Sequence, residues 1–152
     1  MKNFCLLILA LIYLSSCEPD DPYKYELESF IEMKKDPCFG FCPVYSFKVD
    51  GKGNAVFNGD RNISKIGNWT RLITPEETNK LFEAFEMENF WTFENEYTSQ
   101  VTDLPTTWTT LKIGEKSKTI KDYYGAPEEL KALEKMVEEI AETDDGWIKV
   151  TE

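Results

Sequence analysis

Residues 44–58 read VYSFKVDGKGNAVFN, and this stretch decides the fold. Tyr45, Phe47 and Val49 share one face of a period-two run, the pattern that puts one side of a strand in a core and the other in water. Asp50-Gly51-Lys52-Gly53 then supplies two glycines, the residues that take the positive backbone angles of a tight hairpin. The returning strand is expected over residues 54–58. Strands joined by so short a turn pair antiparallel, because a parallel pair needs a crossover connection.

Working outward, Leu27, Ser29, Ile31 and Met33 alternate with Glu28, Phe30, Glu32 and Lys34, which predicts a strand with one mostly polar face. Residues 64–73 suggest a fourth strand interrupted at Gly67. Thr74-Pro75-Glu76-Glu77 is a helix start, with Thr74 as cap, proline at the first helical position and Glu77 closing a capping box. Leu81, Phe82 and Phe85 form that helix's buried stripe, to about Asn89. A long loop follows, whose Phe90, Trp91, Phe93 and Tyr97 are read as core rather than as a sugar-stacking platform. Residues 107–113 and 117–122 make a second hairpin around Gly114. Ala126-Pro127-Glu128-Glu129 opens a second helix with Leu130, Leu133, Val137 and Ile140 on one face, and Trp147 and Ile148 tuck the tail back. Strands, helix, strands, helix, with hairpins instead of crossovers, define an α+β fold: a mainly antiparallel sheet with two helices packed on one face. The helix starts share P-E-E-x-x-x-L at Pro75 and Pro127, which leaves a hairpin-helix duplication open beside common helix-start grammar.

Composition narrows function. The 152 residues suit one domain, and 10 Phe, 7 Tyr and 4 Trp give it enough apolar area for a core. The net charge of −11 makes nucleic acid a poor partner, since binding it rests on Lys and Arg neutralising phosphates. Histidine is absent, which removes the commonest general base, the Ser-His and Cys-His nucleophile pairs and the commonest metal ligand. No catalytic residue, metal site or cofactor is assigned.

The N-terminus reads as an address. A short basic start precedes an apolar run over residues 4–14, too short for a bilayer that needs about 20 residues. Leu14-Ser15-Ser16-Cys17 resembles the lipobox of bacterial lipoproteins, in which the cysteine is lipidated, palmitate included, and becomes the new N-terminus. The expected organisation is a signal peptide over residues 1–16, lipidated Cys17 with an acidic tether over residues 17–25, and a single α+β domain over residues 26–152. The acids after Cys17 are similar to the surface-export tag of some Gram-negative lipoproteins, and a generic polar linker explains them equally well. The membrane is then a partner through the lipid anchor, and the location is the cell envelope, at the outer membrane or cell surface.

Pro37-Cys38-Phe39-Gly40-Phe41-Cys42-Pro43-Val44-Tyr45 is the distinctive constellation. Cysteines four apart in an extended strand lie about 13 Å apart, whereas a disulfide needs Cα atoms roughly 4.4–6.8 Å apart, so the chain must turn. Gly40 permits the turn and the prolines bracket it. In an oxidising envelope a structural disulfide between Cys38 and Cys42 is the first choice, with redox exchange or Cu(I) binding as alternatives. The C-x-x-x-C-P spacing is similar to the motif of thioredoxin-like copper chaperones, but those add a histidine and a parallel βαβ order that this chain lacks. C-F-G-F-C-P-V-Y-S-F, then D-G-K-G, T-D-L-P-T-T and D-Y-Y-G-A-P over residues 27–147, resembles the bacterial lipoprotein family catalogued as domain of unknown function 6438. That resemblance implies an envelope location and a single domain, and no chemistry.

Four further residues are ligand candidates. Asp103, in the loop Thr102-Asp103-Leu104-Pro105, either binds a ligand or Ca²⁺ or hydrogen-bonds its own turn. Asp122, Tyr123 and Tyr124 end a strand beside a helix N-terminus, where anions dock, although Glu128 and Glu129 already occupy that start. Adjacent tyrosines point to opposite faces, so one belongs to the core and one to solvent. The leading functional reading is a non-enzymatic, lipid-anchored module that binds a protein or glycan. The alternatives are a carboxylate-dependent hydrolase or a redox or copper site at Cys38 and Cys42.

Overall fold

The computed structural model describes residues 20–151, so the expected leader over residues 1–16 and Cys17 lie outside the described residues. In chain order the elements are β1 (Phe30–Lys35), β2 (Val44–Asp50), β3 (Asn54–Arg61), β4 (Gly67–Leu72), α1 (Pro75–Met87), β5 (Glu96–Tyr97), β6 (Thr107–Ile113), β7 (Lys116–Asp122), α2 (Glu128–Glu142) and β8 (Ile148–Lys149). The strands form one sheet in the order β5-β7-β6-β1-β2-β3-β4-β8. Every pairing is antiparallel except that of β5 with β7. Two helices and a mostly antiparallel sheet make this an α+β fold, as the hairpins implied.

The β2–β3 turn explains its own sequence. The Asp50 side chain accepts hydrogen bonds from the backbone N–H groups of Lys52 (2.9 Å) and Asn54 (3.0 Å). Gly53 has φ +77°, and a Cβ there would come within 2.4 Å of the Ile73 carbonyl oxygen, so no other residue fits. Strand β1 sits at the centre, between β2 and β6, and so joins the two hairpins into one sheet. It begins at Phe30, three residues later than the alternation suggested, because the Ser29 N–H bonds back to Glu26 in a turn. Gly67 opens β4 instead of interrupting it. The long loop after α1 holds a 3-10 turn (Phe90–Thr92) and the two-residue β5, neither of which has a periodic signature.

The core is aromatic. Phe47, Phe57, Phe82, Phe85 and Phe90 are fully buried, in one cluster with Ile31, Met33, Leu111, Ile120 and Leu130. Tyr45 stacks on Phe57 at 4.9 Å, and Trp147 meets Phe57 edge-on at 5.7 Å, so the tail is anchored as expected. Thr74 caps α1 by accepting from the Glu77 N–H at 3.2 Å. At α2 the capping residue is Pro127 itself, with no side-chain bond. The other end of α2 is closed by Lys65, buried above the Phe57 ring, whose Nζ donates to the carbonyls of Glu142 (3.0 Å) and Thr143 (2.8 Å).

The sheet has two distinct ends. At the β2–β3 turn end, Asp21 pairs with Lys52 at 2.7 Å, the Tyr23 hydroxyl donates to the Ile73 carbonyl at 2.9 Å, and Tyr25 stacks on Phe82 at 4.4 Å. Most of the segment read as a tether is therefore held against the body from Asp21 on. The disulfide loop, the start of β6 and the end of β7 lie at the opposite end, where Lys35 pairs with Thr107 and Thr107 with Asp122.

Replacing Lys65 with Met keeps its apolar stem but leaves two helix carbonyls without donors. The expected loss is about 1–3 kcal/mol in urea unfolding. A loss under about 0.5 kcal/mol would show that the cap contributes nothing.

Candidate functional site

Helix α2 meets the sheet through a polar ridge as well as an apolar stripe. Lys131, Glu134, Glu138 and Glu142 follow one another at spacings of three, four and four, so they lie on one side of the helix. Each engages the next strand across. Lys131 contacts Asp122 of β7, and Glu134 Oε1 accepts from Thr109 of β6 at 3.3 Å. Glu138 pairs with Lys35 of β1 at 2.5 Å, and Glu142 accepts from the Tyr45 hydroxyl of β2 at 2.9 Å. Burial and the Glu142 carboxylate push the Tyr45 phenol well above its ordinary range, so it remains a donor at any physiological pH.

A cavity of about 550 Å³ opens at the first of these crossings, lined among others by Lys35, Thr107, Asp122, Tyr124, Lys131 and Glu134. Its floor is acidic. The Asp122 side chain is 0% exposed, with one oxygen against Lys131 Nζ and the other, Oδ1, without a hydrogen-bond partner among the described residues. Glu134, also buried, places Oε2 3.4 Å from the same ammonium. Burial raises the Glu134 carboxyl to about 7; Lys131 pulls it down, while the nearby Asp122 carboxylate pushes it up. Burial alone lowers the Lys131 ammonium, but Asp122 and Glu134 outweigh it and raise its pKa.

Three of the four candidates from the sequence meet here and one does not. Asp122, Tyr123 and Tyr124 all line the cavity, whereas Asp103 is exposed beside it. Asp103 has φ +70° and accepts from the Thr102 hydroxyl at 3.2 Å, the behaviour of an aspartate stabilising its own turn. Tyr123 is half-buried and ties down the preceding loop by donating to the Val101 carbonyl at 2.8 Å, while Tyr124 stands half-exposed. Lys131 and Glu134 were not among the candidates. Buried Leu130, Leu133, Glu134, Val137 and Ala141 mark the inward stripe of α2, so Glu134 is an acid at a position where the helix period calls for an apolar residue. That misfit was the available signal.

The disulfide Cys38–Cys42 is closed, with Cα atoms 5.8 Å apart. Asn62 Nδ2 donates to the Cys42 carbonyl at 3.0 Å and fixes the loop to the end of β3. Phe39 and Phe41 project from it 90% and 93% exposed. Phe90 is buried and Trp91, Phe93 and Tyr97 pack against the core, so that cluster is structural.

Fold and cavity together define an α+β domain with one eight-stranded sheet and a buried carboxyl pair at the head of its second helix. The family model described as Domain of unknown function (DUF6438) matches residues 29–141, and the chain belongs to that family. No curated protein matches it.

The raised Glu134 carboxyl gives stability a direction with pH. Folded, the group holds its proton up to about 7 against an ordinary 4.5, so stability falls as pH rises between those values and levels off above. The decline is on the order of 3 kcal/mol. Glu134→Gln should flatten it in urea midpoints measured from pH 4.5 to 7.5; an unchanged slope would mean that another group carries it.

Proposed function

We propose that the protein is a lipid-anchored cell-envelope module that captures a protein or glycan ligand in the cavity around Asp122. The observation that carries this reading is the fully buried side chain of Asp122, a lining residue of the cavity, whose Oδ1 has no hydrogen-bond partner among the described residues. A buried polar group without a partner costs stability, and folds keep such groups where something else uses them. Tyr124 at the mouth and Phe39 and Phe41 at the same end of the sheet add the aromatic surface that ligand contacts favour.

The two helices sharing one core cluster with the sheet support the finer reading that both pack on one face. The matched helix starts leave hairpin-helix duplication as the ancestry in keeping with that layout. Anchoring fits the two ends of the sheet. Glu18, Pro19 and Asp20 alone separate Cys17 from the contacts that begin at Asp21, a reach of at most about 14 Å. A lipid on Cys17 would hold the β2–β3 turn end against the membrane and present the cavity away from it.

The hydrolase alternative draws on the same carboxyls but finds less support. Glycoside hydrolysis uses acids about 5–9.5 Å apart with room for a sugar or water between them. Asp122 and Glu134 instead share one ammonium, that of Lys131, an arrangement suited to holding a donor. The closed disulfide leaves no thiolate for copper, and the Asn62 bond that pins the loop favours a staple.

The test is amide NMR of the protein titrated with oligosaccharides and with a basic peptide. Saturable shifts at Thr107, Tyr124 and Gly125 that Asp122→Asn abolishes, without loss of fold, are expected. Shifts elsewhere, or binding indifferent to Asp122→Asn, would refute the site. Cys17→Ala should release the protein from membranes; unchanged fractionation would refute the anchor.

A further inference from the structure

We infer that the cavity floor is a recognition site for a primary ammonium on an alkyl stem, the lysine side chain of a basic partner, and that Lys131 occupies it in the free protein. The inference rests on the reading of this cavity as the ligand site and names what enters it. Its template is internal. A lysine ammonium already sits against Asp122 with Glu134 Oε2 3.4 Å from it, so in the free protein the two acids face this headgroup.

Three observations make Lys131 a replaceable occupant. Its side chain is 47% exposed while those of the acids it serves are 0% and 5% exposed, so the acids are fixed parts of the floor and the lysine reaches in from outside. A long stem on the outer side of a helix swings into solvent at little cost, and its charge is then hydrated. One ammonium also leaves the floor unfinished: Asp122 Oδ1 has no donor among the described residues, and once Glu134 is ionised the floor carries two negative charges against one positive. Of the flanking charges, Lys35 is paired with Glu138, and Lys135, at the cavity's outer side, is paired with Glu139 at 4.0 Å. Tyr124, half-exposed at the rim, offers a ring face to an arriving cation. The whole chain, at −11, draws basic partners over neutral or acidic ones.

The test uses the full-length chain at pH 7.5 and three probes: Nα-acetyl-lysine methylamide, its norleucine counterpart without the ammonium, and cadaverine, followed by the amide shifts of Tyr124 and Gly125. Lys131→Met removes the internal competitor and keeps the stem. Since a tethered group competes at roughly millimolar effective concentration, this variant should bind the lysine probe about tenfold or more tightly than the wild type. The norleucine probe should not bind, and Asp122→Asn placed on Lys131→Met should abolish the gain. Cadaverine binding as tightly as the lysine probe would assign the site to free polyamines and overturn the choice of a protein partner. Equal binding of the lysine and norleucine probes, or no gain in Lys131→Met, would overturn the ammonium site itself. If Lys131→Met does not fold, the wild type decides: shifts that saturate with the lysine probe and are absent with the norleucine probe support the inference, and their absence ends it. An oligosaccharide that shifts Tyr124 and Gly125 while the amines do not would leave the cavity a ligand site and remove only the ammonium claim.

Discussion

The polar ridge of α2 is the constraint on which the architecture turns. A helix laid across a sheet by apolar contacts alone has a stripe to bury but little to fix where along its length each strand falls. Here Lys131, Glu134, Glu138 and Glu142 meet β7, β6, β1 and β2 in turn, and Lys65 closes the helix end beside β3. The succession follows the order of strands in the sheet. Each bond is individually modest, but a slip of one residue would bury several charges without partners, and that penalty sets the register. The aromatic core supplies the driving force, and the ridge supplies the position.

Much of this was legible in the chain and some of it was not. The alternation of Tyr45, Phe47 and Val49 and the glycines at 51 and 53 specified the first hairpin closely, because turn chemistry and period are local properties. The α1 cap at Thr74 was equally local. The place of β1 between β2 and β6 was not, since it depends on which edge of each hairpin remains free. The two-residue strands β5 and β8 carry no periodic signal and exist only because β7 and β4 present open edges. Pairing of Cys38 with Cys42 was the first choice for an oxidising compartment, and Gly40 permits the turn that it requires. At the site, Asp122 and Tyr124 were visible as strand-end residues beside a helix start. Lys131 and Glu134 were not singled out, because a charged residue at helical spacing is ordinarily solvated, whereas burial puts Glu134 on the inward stripe.

The two ends of the sheet carry different chemistry. Asp21, Tyr23 and Tyr25 bind the incoming chain to the β2–β3 turn end through an ion pair, a backbone hydrogen bond and an aromatic stack. The carboxyl pair, Tyr124 and the disulfide-held Phe39 and Phe41 gather at the other. The cavity's character comes from burial: in the low-dielectric wall the two acids share one lysine, and the Glu134 carboxyl is held above its ordinary range.

The most direct test of the shared floor is a ¹³C titration of the Glu134 side-chain carboxyl, assigned by Glu134→Gln. A midpoint near 7 is expected in the wild type, shifting when Asp122 is replaced by Asn. A midpoint near 4.5, indifferent to Asp122, would contradict a coupled carboxyl pair and with it the cavity as a built site.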